Sequence, residues 1–267
     1  MKILISQDME GVAGVVNGAY GAPRPDEDES RHMMTLEINA AVSGILDANA
    51  DAEVYVWEAH RFYVEELHEE IKIMRHINPL DAVKIPLDGM MFVGQHAMAG
   101  IQKAVLSHTG SSKSIMHMWV NDREFGEMGL CGALAGEHGI PVIFLSGDSA
   151  AVKEARDFFG SIETVTTMEA YGNRSAICLT NKKSCRLIRD GTKKAVERIT
   201  EFKPFKVSPP VEFKIQFKFA EIADKHCLIP NFKRVDATTI SYSADNYIDA
   251  FRVGYMCLGL VLAQYDR

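Results

Sequence analysis

Short apolar runs alternate along this chain with longer segments in which apolar residues recur at helical spacing. The runs predict buried strands, because strands of a covered parallel sheet are apolar on both faces. They lie at residues 1–5, 52–57, 89–94, 115–120 and 140–145. Helical spacing is clear between them, as in Met34, Ile38, Ala41, Val42 and Ile45. Strands that alternate with helices predict an α/β fold with a largely parallel sheet covered by helices.

The pattern changes after a proline-containing boundary at residues 202–210. Residues 211–217 alternate strictly between apolar and polar, which predicts a strand with one buried face, and a strand at 238–242 and a helix at 244–263 follow. We therefore predict an α/β domain over residues 1–203, which carries the candidate catalytic site, and a smaller C-terminal α+β portion over 204–267 packed on it.

One polar stretch stands out near the N-terminus. Gly, Pro and acidic residues dominate residues 17–30, which predicts a loop overhanging the end of the first strand. Such a loop is expected to act as a lid or as a subunit contact. Ser30 is a candidate N-cap for the helix that follows.

Composition narrows the class of partner. The chain has 267 residues and a net charge of −7, so we expect no attraction to nucleic acid or to an anionic membrane. No apolar run approaches the roughly 20 residues of a membrane-spanning helix, and no signal peptide is evident, which favours a cytoplasmic protein. The 5 cysteines form no CxxC pair, so neither a disulfide framework nor a cysteine zinc site is indicated.

Metal-capable side chains follow successive predicted strands. Asp8 and Glu10 follow the first strand, His60 the second and His96 the third, and Glu127 lies after the fourth. Because strand ends of a parallel sheet share one rim, these side chains are expected to converge. Mixed carboxylates and imidazoles are typical of two adjacent hydrolytic zinc ions.

Such a site has a defined chemistry. The metals lie about 3.5–4 Å apart and hold between them a hydroxide, the nucleophile, because metal binding lowers the pKa of water from 15.7 to about 7. A nearby imidazole can transfer a proton, and His108, in a polar Gly/Ser-rich loop, is a candidate.

Plainer interpretations compete for each residue. Asp8 suits a helix cap and Glu10 a solvated surface, and a histidine at a strand end is commonly a hydrogen-bonding loop residue. Glu127 suits the first turn of a helix, and on the residues alone it ranks level with Glu58 and Glu124. A ligating histidine usually donates its other N–H to an oxygen, and the candidates for that supporting role are Glu58, Asn121 and Asp148.

The motif residues carry a resemblance to a known family. The segment after the first strand, Ser6-Gln7-Asp8-Met9-Glu10-Gly11, resembles the SxDxEG signature of the DppA-type zinc D-aminopeptidases. Similar segments continue in order over nearly the whole chain: residues 57–60, 94–97, 107–108, 121–123, 126–130 and 146–148.

The resemblance implies a role for each residue. Asp8 would bridge two zinc ions per chain, with Glu10 and His60 completing one site and His96 and Glu127 the other. His108 would be the catalytic histidine. The implied reaction removes an N-terminal residue, a D-amino acid such as D-alanine, from a short peptide, and the implied assembly is a homo-oligomer of stacked rings, a decamer.

The chain departs from that family at two places, Cys131-Gly132 and residues 109–113. We expect both to line the substrate pocket, which leaves the D or L preference and the accepted side-chain size open. Two alternatives also stay open: a binuclear metal amidase acting on a non-peptide amide, and a non-catalytic α/β protein that binds a small ligand.

Overall fold

The computed structural model describes residues 1–17 and 27–265. In chain order the strands are β1 (Lys2–Gln7), β2 (Glu53–Trp57), β3 (Ile71–Met74), β4 (Gly89–Gln95), β5 (Ile115–Val120), β6 (Arg123–Glu124), β7 (Val142–Asp148), β8 (Glu163–Gly172), β9 (Ser175–Cys178), β10 (Val211–Phe217), β11 (Lys233–Arg234) and β12 (Thr239–Ala244). The helices are α1 (Glu27–Ala48), α2 (Pro79–Ala82), α3 (Glu127–Glu137), α4 (Ser149–Phe159), α5 (Asn181–Glu197), α6 (Ala220–His226) and α7 (Tyr247–Tyr265).

A seven-stranded sheet organises the larger part of the chain, in the order β3-β2-β1-β4-β7-β8-β9. Its pairs are parallel except β8 with β9. Strand β1 lies between β2 and β4, so the chain leaves β1 toward one side and later returns to the other. Ligands bind at such a point of reversal, at the carboxyl ends of the strands.

Alternation along β1 divides the core into two layers. Ile3 and Ile5 pack with α1 and α5 on one face of the sheet, whereas Leu4 packs with α3 and α4 on the other. Both faces are covered, which confirms the predicted α/β fold class. No helix among residues 1–17 and 27–265 is long and apolar enough to cross a membrane.

The second sheet is antiparallel, in the order β11-β12-β10-β5-β6. Strand β5, counted from sequence as the fourth strand of the parallel sheet, belongs here and pairs with β10. Its alternating burial is typical of an antiparallel sheet with one covered face. Met118 and Val120 are buried, whereas Met116 is exposed. The division at residues 203 and 204 stays a prediction, and the β5–β10 pair joins strands from both of its parts.

The polar stretch at residues 17–30 differs from expectation where the structure describes it. Helix α1 begins at Glu27, so Ser30 lies inside the helix, where it is buried, and is not its cap. Three acidic residues in the first turn favour this earlier start through the helix dipole. Residues 18–26, which include most of the predicted lid, lie outside the described residues.

Candidate active site

The ends of β1 and β4 lie very close together at the rim. The N–H of Asp8 donates to the carbonyl of Val93 at 2.8 Å, and that of Gly11 donates to the carbonyl of Gly94 at 2.7 Å. A Cβ on Gly11 would lie 2.1 Å from the carbonyl oxygen of Gln95. Gly11 is therefore required by close backbone approach, and this contact fixes the position of the turn that carries Asp8 and Glu10.

The first group of candidate ligands, called trio one, comprises Asp8, Glu10 and His60. The Nε2 atom of His60 lies 3.1 Å from Oδ1 of Asp8 and 3.5 Å from Oε2 of Glu10. Both carboxylates are buried. These residues follow the neighbouring strands β1 and β2, so the parallel pairing of the two strands brings the three side chains together.

The second group, trio two, comprises His96, His108 and Glu127. The Nε2 atoms of both histidines lie 3.6 Å from Oε1 of Glu127. The two imidazole rings stack with their centroids 4.0 Å apart. His96 follows β4, Glu127 begins α3, and His108 arrives from the long connection after β4.

Asp8 lies between the two trios. Its Oδ1 faces His60, and its Oδ2 lies 3.4 Å from Nε2 of His96. The carboxylate is oriented by Gln95, whose Nε2 donates to Oδ2 at 2.9 Å, and by the N–H of Met9, which donates to Oδ1 at 2.8 Å. One oxygen of the same carboxylate is thus turned toward each trio.

Main-chain carbonyls orient both histidines of trio two. The Nδ1 of His96 lies 2.9 Å from the carbonyl oxygen of Ala97, and that of His108 lies 3.0 Å from the carbonyl oxygen of Leu106. A carbonyl only accepts, so Nδ1 carries the hydrogen and donates it in each case. Nε2 is left as the ligating or basic atom, the arrangement common in metal sites.

The three side chains predicted to support the histidines make their hydrogen bonds elsewhere. Glu58 pairs with Arg75 at 3.1 Å, and Asn121 binds the main chain of Ser208 and Glu212. Asp148 caps α4 and accepts from the N–H of Val105 at 2.7 Å. Asp148 therefore acts on the connection that carries His108, and none of the three contacts a histidine of either trio in these bonds.

Glu154 on α4 supports the same connection and was missed from sequence. Its Oε2 accepts from the N–H of Met98 at 2.8 Å, and its Oε1 would lie 2.4 Å from a Cβ on Gly126. It thus touches the segments beside His96 and Glu127. The available signal was an acid on the buried face of an amphipathic helix, with Ala151, Ala155 and Phe158.

Burial and opposite charges compete at the site. Burial, helped by the charge of Glu10, raises the pKa of Asp8 to about 6. Burial opposes the charged form of His60, but Glu10 and Asp8 outweigh it and raise its pKa to about 9. The same competition raises the pKa of His96 to about 9, through Asp8 and Glu127.

Burial also opposes ionisation of Glu10 and Glu127, yet the histidines lower the pKa of both carboxyls. The carboxylates thus attract positive charge into this site.

Two buried ligand atoms are suited to bind a cation. Oε2 of Glu10 and Nε2 of His96 are buried and, within the part of the chain that the structure describes, have no hydrogen-bond partner. A buried polar atom without a partner costs about 1–3 kcal/mol, and a metal ion would remove that cost. Carboxylate oxygen and imidazole nitrogen are ligands that zinc accepts, so the residues present fit zinc.

A cavity of about 490 Å³ opens over both trios. Asp8, Glu10, His60, His108 and Glu127 line it, together with an apolar wall that includes Phe213 of β10 and the following residues of α7: Phe251, Tyr255, Leu258 and Leu262. The spacing of the α7 residues places them on one helical stripe. This wall was not predicted, because an apolar stripe that faces a cavity has the same sequence pattern as one that faces a core.

Residues of both segments that were expected to line the substrate pocket lie at this cavity. Cys131 lines it beside Glu127, and so do Gly110, Ser111, Ser112 and Lys113. Their neighbours Thr109 and Gly132 are not among the described residues that line it. The metal-ligating and catalytic roles of the six charged residues stay predictions, although the structure brings all six together.

Comparison with known proteins agrees with this geometry. The D-aminopeptidase family, peptidase family M55, matches residues 1–255. The D-aminopeptidase of Bacillus subtilis (strain 168) is 28% identical over 264 residues, covering 94% of this chain and 94% of the relative. A solved structure described as the Zn-dependent D-aminopeptidase DppA from Bacillus subtilis, a self-compartmentalizing protease, has a TM-score of 0.91 at 26% identity, covering 99% of each chain.

These matches confirm the expected fold and the expected class of enzyme, an aminopeptidase, and they favour it over a non-catalytic binding protein. The chain belongs to the D-aminopeptidase family.

Proposed function

We propose that this protein is a binuclear zinc aminopeptidase that removes an N-terminal D-amino acid, such as D-alanine, from short peptides. The observation that carries the proposal is the position of Asp8, whose two carboxylate oxygens face His60 and His96 at 3.1 and 3.4 Å. A carboxylate in that position is suited to bridge two cations.

One zinc ion would lie at trio one, and the other at His96 and Glu127 of trio two. Glu10 and His60 would complete one site, and His96 and Glu127 the other, with Asp8 shared. Bound zinc would supply a Lewis acid for the scissile carbonyl and lower the pKa of attacking water. The unpartnered Oε2 of Glu10 and Nε2 of His96 support this assignment.

The chain's own residues provide binding and proton transfer. The carboxylates would hold the zinc ions where the peptide's N-terminus enters, and zinc accepts a neutral amine as a nitrogen ligand. His108, oriented by the carbonyl of Leu106 at 3.0 Å, turns Nε2 toward Glu127 and the cavity. That atom is placed to take a proton from water and to pass it to the leaving amine. The apolar wall of α7 excludes water from the peptide bond under attack.

Metal content and stereochemistry test the proposal together. We expect about two zinc ions per purified chain, hydrolysis of D-Ala-D-Ala well above L-Ala-L-Ala, and no hydrolysis of the N-acetylated peptide. In Asp8→Ala, both zinc ions and activity are expected to be lost, with the fold intact by circular dichroism. Wild-type protein that binds no metal, and gains no activity with zinc, manganese or cobalt, would contradict the proposal. Equal cleavage of the N-acetylated peptide would point to the amidase.

We also propose that the chain forms a homo-oligomer. The relative of known structure is a self-compartmentalizing protease, and Met256 and Leu260 on α7 are apolar and 62% and 38% exposed. A second copy is the proposed occupant of this surface. Light scattering is expected to give a mass of several chains, and a monomeric mass at assay concentration would contradict this. The decameric number and a cytoplasmic location stay predictions.

A further inference from the structure

The cavity is charged asymmetrically. Asp8, Glu10 and Glu127 lie at one place in its lining, and among the described residues that line it Lys113 is the one Lys or Arg. A free peptide carries an ammonium group at one end and a carboxylate at the other. The candidate zinc site at the three acids suits the first end, because zinc accepts nitrogen ligands such as a deprotonated amine, and the lysine in the same lining suits the second.

The loop that carries Lys113 is held at a fixed distance from the acids. The N–H of Gly110 donates to Oε1 of Glu127 at 2.7 Å. Lys113 is three residues further along, so its Cα lies within about 11 Å of that anchor even if the chain is fully extended. A di- or tripeptide fits within this upper limit, because each extended residue adds about 3.5 Å.

Further contacts fix the same loop. The N–H of Ser114 donates to Oγ of Ser111 at 3.0 Å, and Nζ of Lys218 donates to the carbonyl of Ser112 at 2.6 Å. A Cβ on Gly110 would lie 2.9 Å from Leu258 of α7. The loop is therefore packed against the apolar wall, and Lys113 is one of the residues that line the cavity.

We infer that Lys113 is a specificity-determining residue that binds the C-terminal carboxylate of the substrate, so that the enzyme selects free di- and tripeptides. The inference rests on the proposed aminopeptidase function and deepens it. It also gives a binding role to the polar loop at residues 109–113.

The test compares D-Ala-D-Ala with the same dipeptide as its C-terminal amide. An ion pair with an exposed lysine is worth up to about 1 kcal/mol, so the wild type is expected to cleave the acid up to about 5-fold better in kcat/KM, mainly through KM. The preference should fall as salt rises, because the lysine is exposed and screened.

Three variants isolate the charge. Lys113→Met is expected to cleave the acid and the amide equally well, and Lys113→Arg is expected to keep the preference for the acid. Lys103→Met is the matched control, since Lys103 is exposed on the same connection but lines a different cavity; its preference should equal that of the wild type.

Two failures are distinguishable. Equal cleavage of acid and amide by the wild type, or an undiminished preference in Lys113→Met, would overturn the inference and leave the proposed function standing. Failure of the zinc-loaded wild type to cleave either peptide would overturn the proposed function and the inference with it.

Discussion

The two trios are built by different parts of the fold. In trio one, all three residues follow adjacent parallel strands, and the main-chain bonds of Asp8 and Gly11 to β4 fix their turn. In trio two, only His96 follows a strand. His108 lies within the long connection between β4 and β5, and Glu127 belongs to a helix.

What holds the second trio is a set of side chains on β7 and α4. Asp148 accepts from the N–H of Val105, and Glu154 accepts from the N–H of Met98. Trio one is thus fixed mainly by sheet backbone, whereas trio two depends on buried carboxylates outside the ligand set. We therefore expect trio two to be the more easily disturbed by substitutions away from the ligands.

The largest effects are expected when one candidate ligand is removed, either from trio one or from trio two. Glu10→Gln and Glu127→Gln keep side-chain shape but lose the charge, so each is expected to lose about one zinc ion and at least about 100-fold in kcat/KM, more than the loss of an outer partner. Elemental analysis and steady-state kinetics measure this. A variant with one zinc ion and full activity would show that the affected trio is not required for catalysis.

A steric clash between the ends of β1 and β4 should disturb trio one and destabilise the protein. Gly11→Ala places a Cβ 2.1 Å from the carbonyl oxygen of Gln95, and the strand ends must separate. We expect a loss of about 2–4 kcal/mol in the free energy of unfolding, measured with urea.

The control is Gly259→Ala in α7, where a Cβ meets nothing within 4 Å. That substitution is expected to be neutral or to stabilise by up to about 1 kcal/mol. Equal stability of the two variants would mean that the contact between β1 and β4 tolerates a methyl group.

Loss of a supporting carboxylate should weaken trio two alone. Glu154→Ala removes the acceptor of the Met98 N–H. The affinity for zinc at trio two is expected to fall about 10–100-fold, while the affinity at trio one is unchanged. Zinc titration of chelator-treated protein measures both affinities. Lys153→Ala, exposed on the same helix, is the control, and an equal loss at both sites would contradict separate support.

The smallest effect concerns Glu37, the buried carboxyl that accepts from the N–H of Ala13 and from Ser184. Burial raises its pKa from 4.5 to about 7. Between those values the unfolded glutamate is ionised and the folded one is protonated, so unfolding releases a proton and stability falls as pH rises. Above about pH 7 both forms are ionised and this contribution stays constant.

Between pH 4.5 and 7 the free energy of unfolding of the wild type should therefore fall by about 2 kcal/mol through Glu37, within the roughly 3 kcal/mol that the pKa change allows. Glu37→Gln should not show this decrease. Urea unfolding of both proteins at several pH values measures it, and parallel pH profiles would contradict it. Zinc content should not change, since the backbone holds trio one.

Sequence predicted the part of the site that follows strand ends. The apolar runs located β1, β2 and β4, and with them Asp8, Glu10, His60 and His96. Glu127 and His108 needed the family resemblance, because a helix-start acid and a loop histidine have no periodic signal. Strand β3 was missed because it is short and carries the exposed Lys72.

Side-chain partners were the least predictable. Glu58 is adjacent to the strand end, yet it pairs with Arg75, seventeen positions away. Asn121 has positive φ in a turn and binds the main chain of Ser208 and Glu212. Such choices depend on tertiary distances that spacing along the chain does not contain.

The apolar wall and the candidate ligands come from different stretches of the chain. Every residue of the two trios lies between positions 8 and 127, whereas most of the wall lies on β10 and α7, after position 210. Substitutions in the C-terminal stretch can therefore change the cavity wall while the candidate ligands stay the same. Chimeras that exchange this stretch between relatives are a direct route to new substrate preferences.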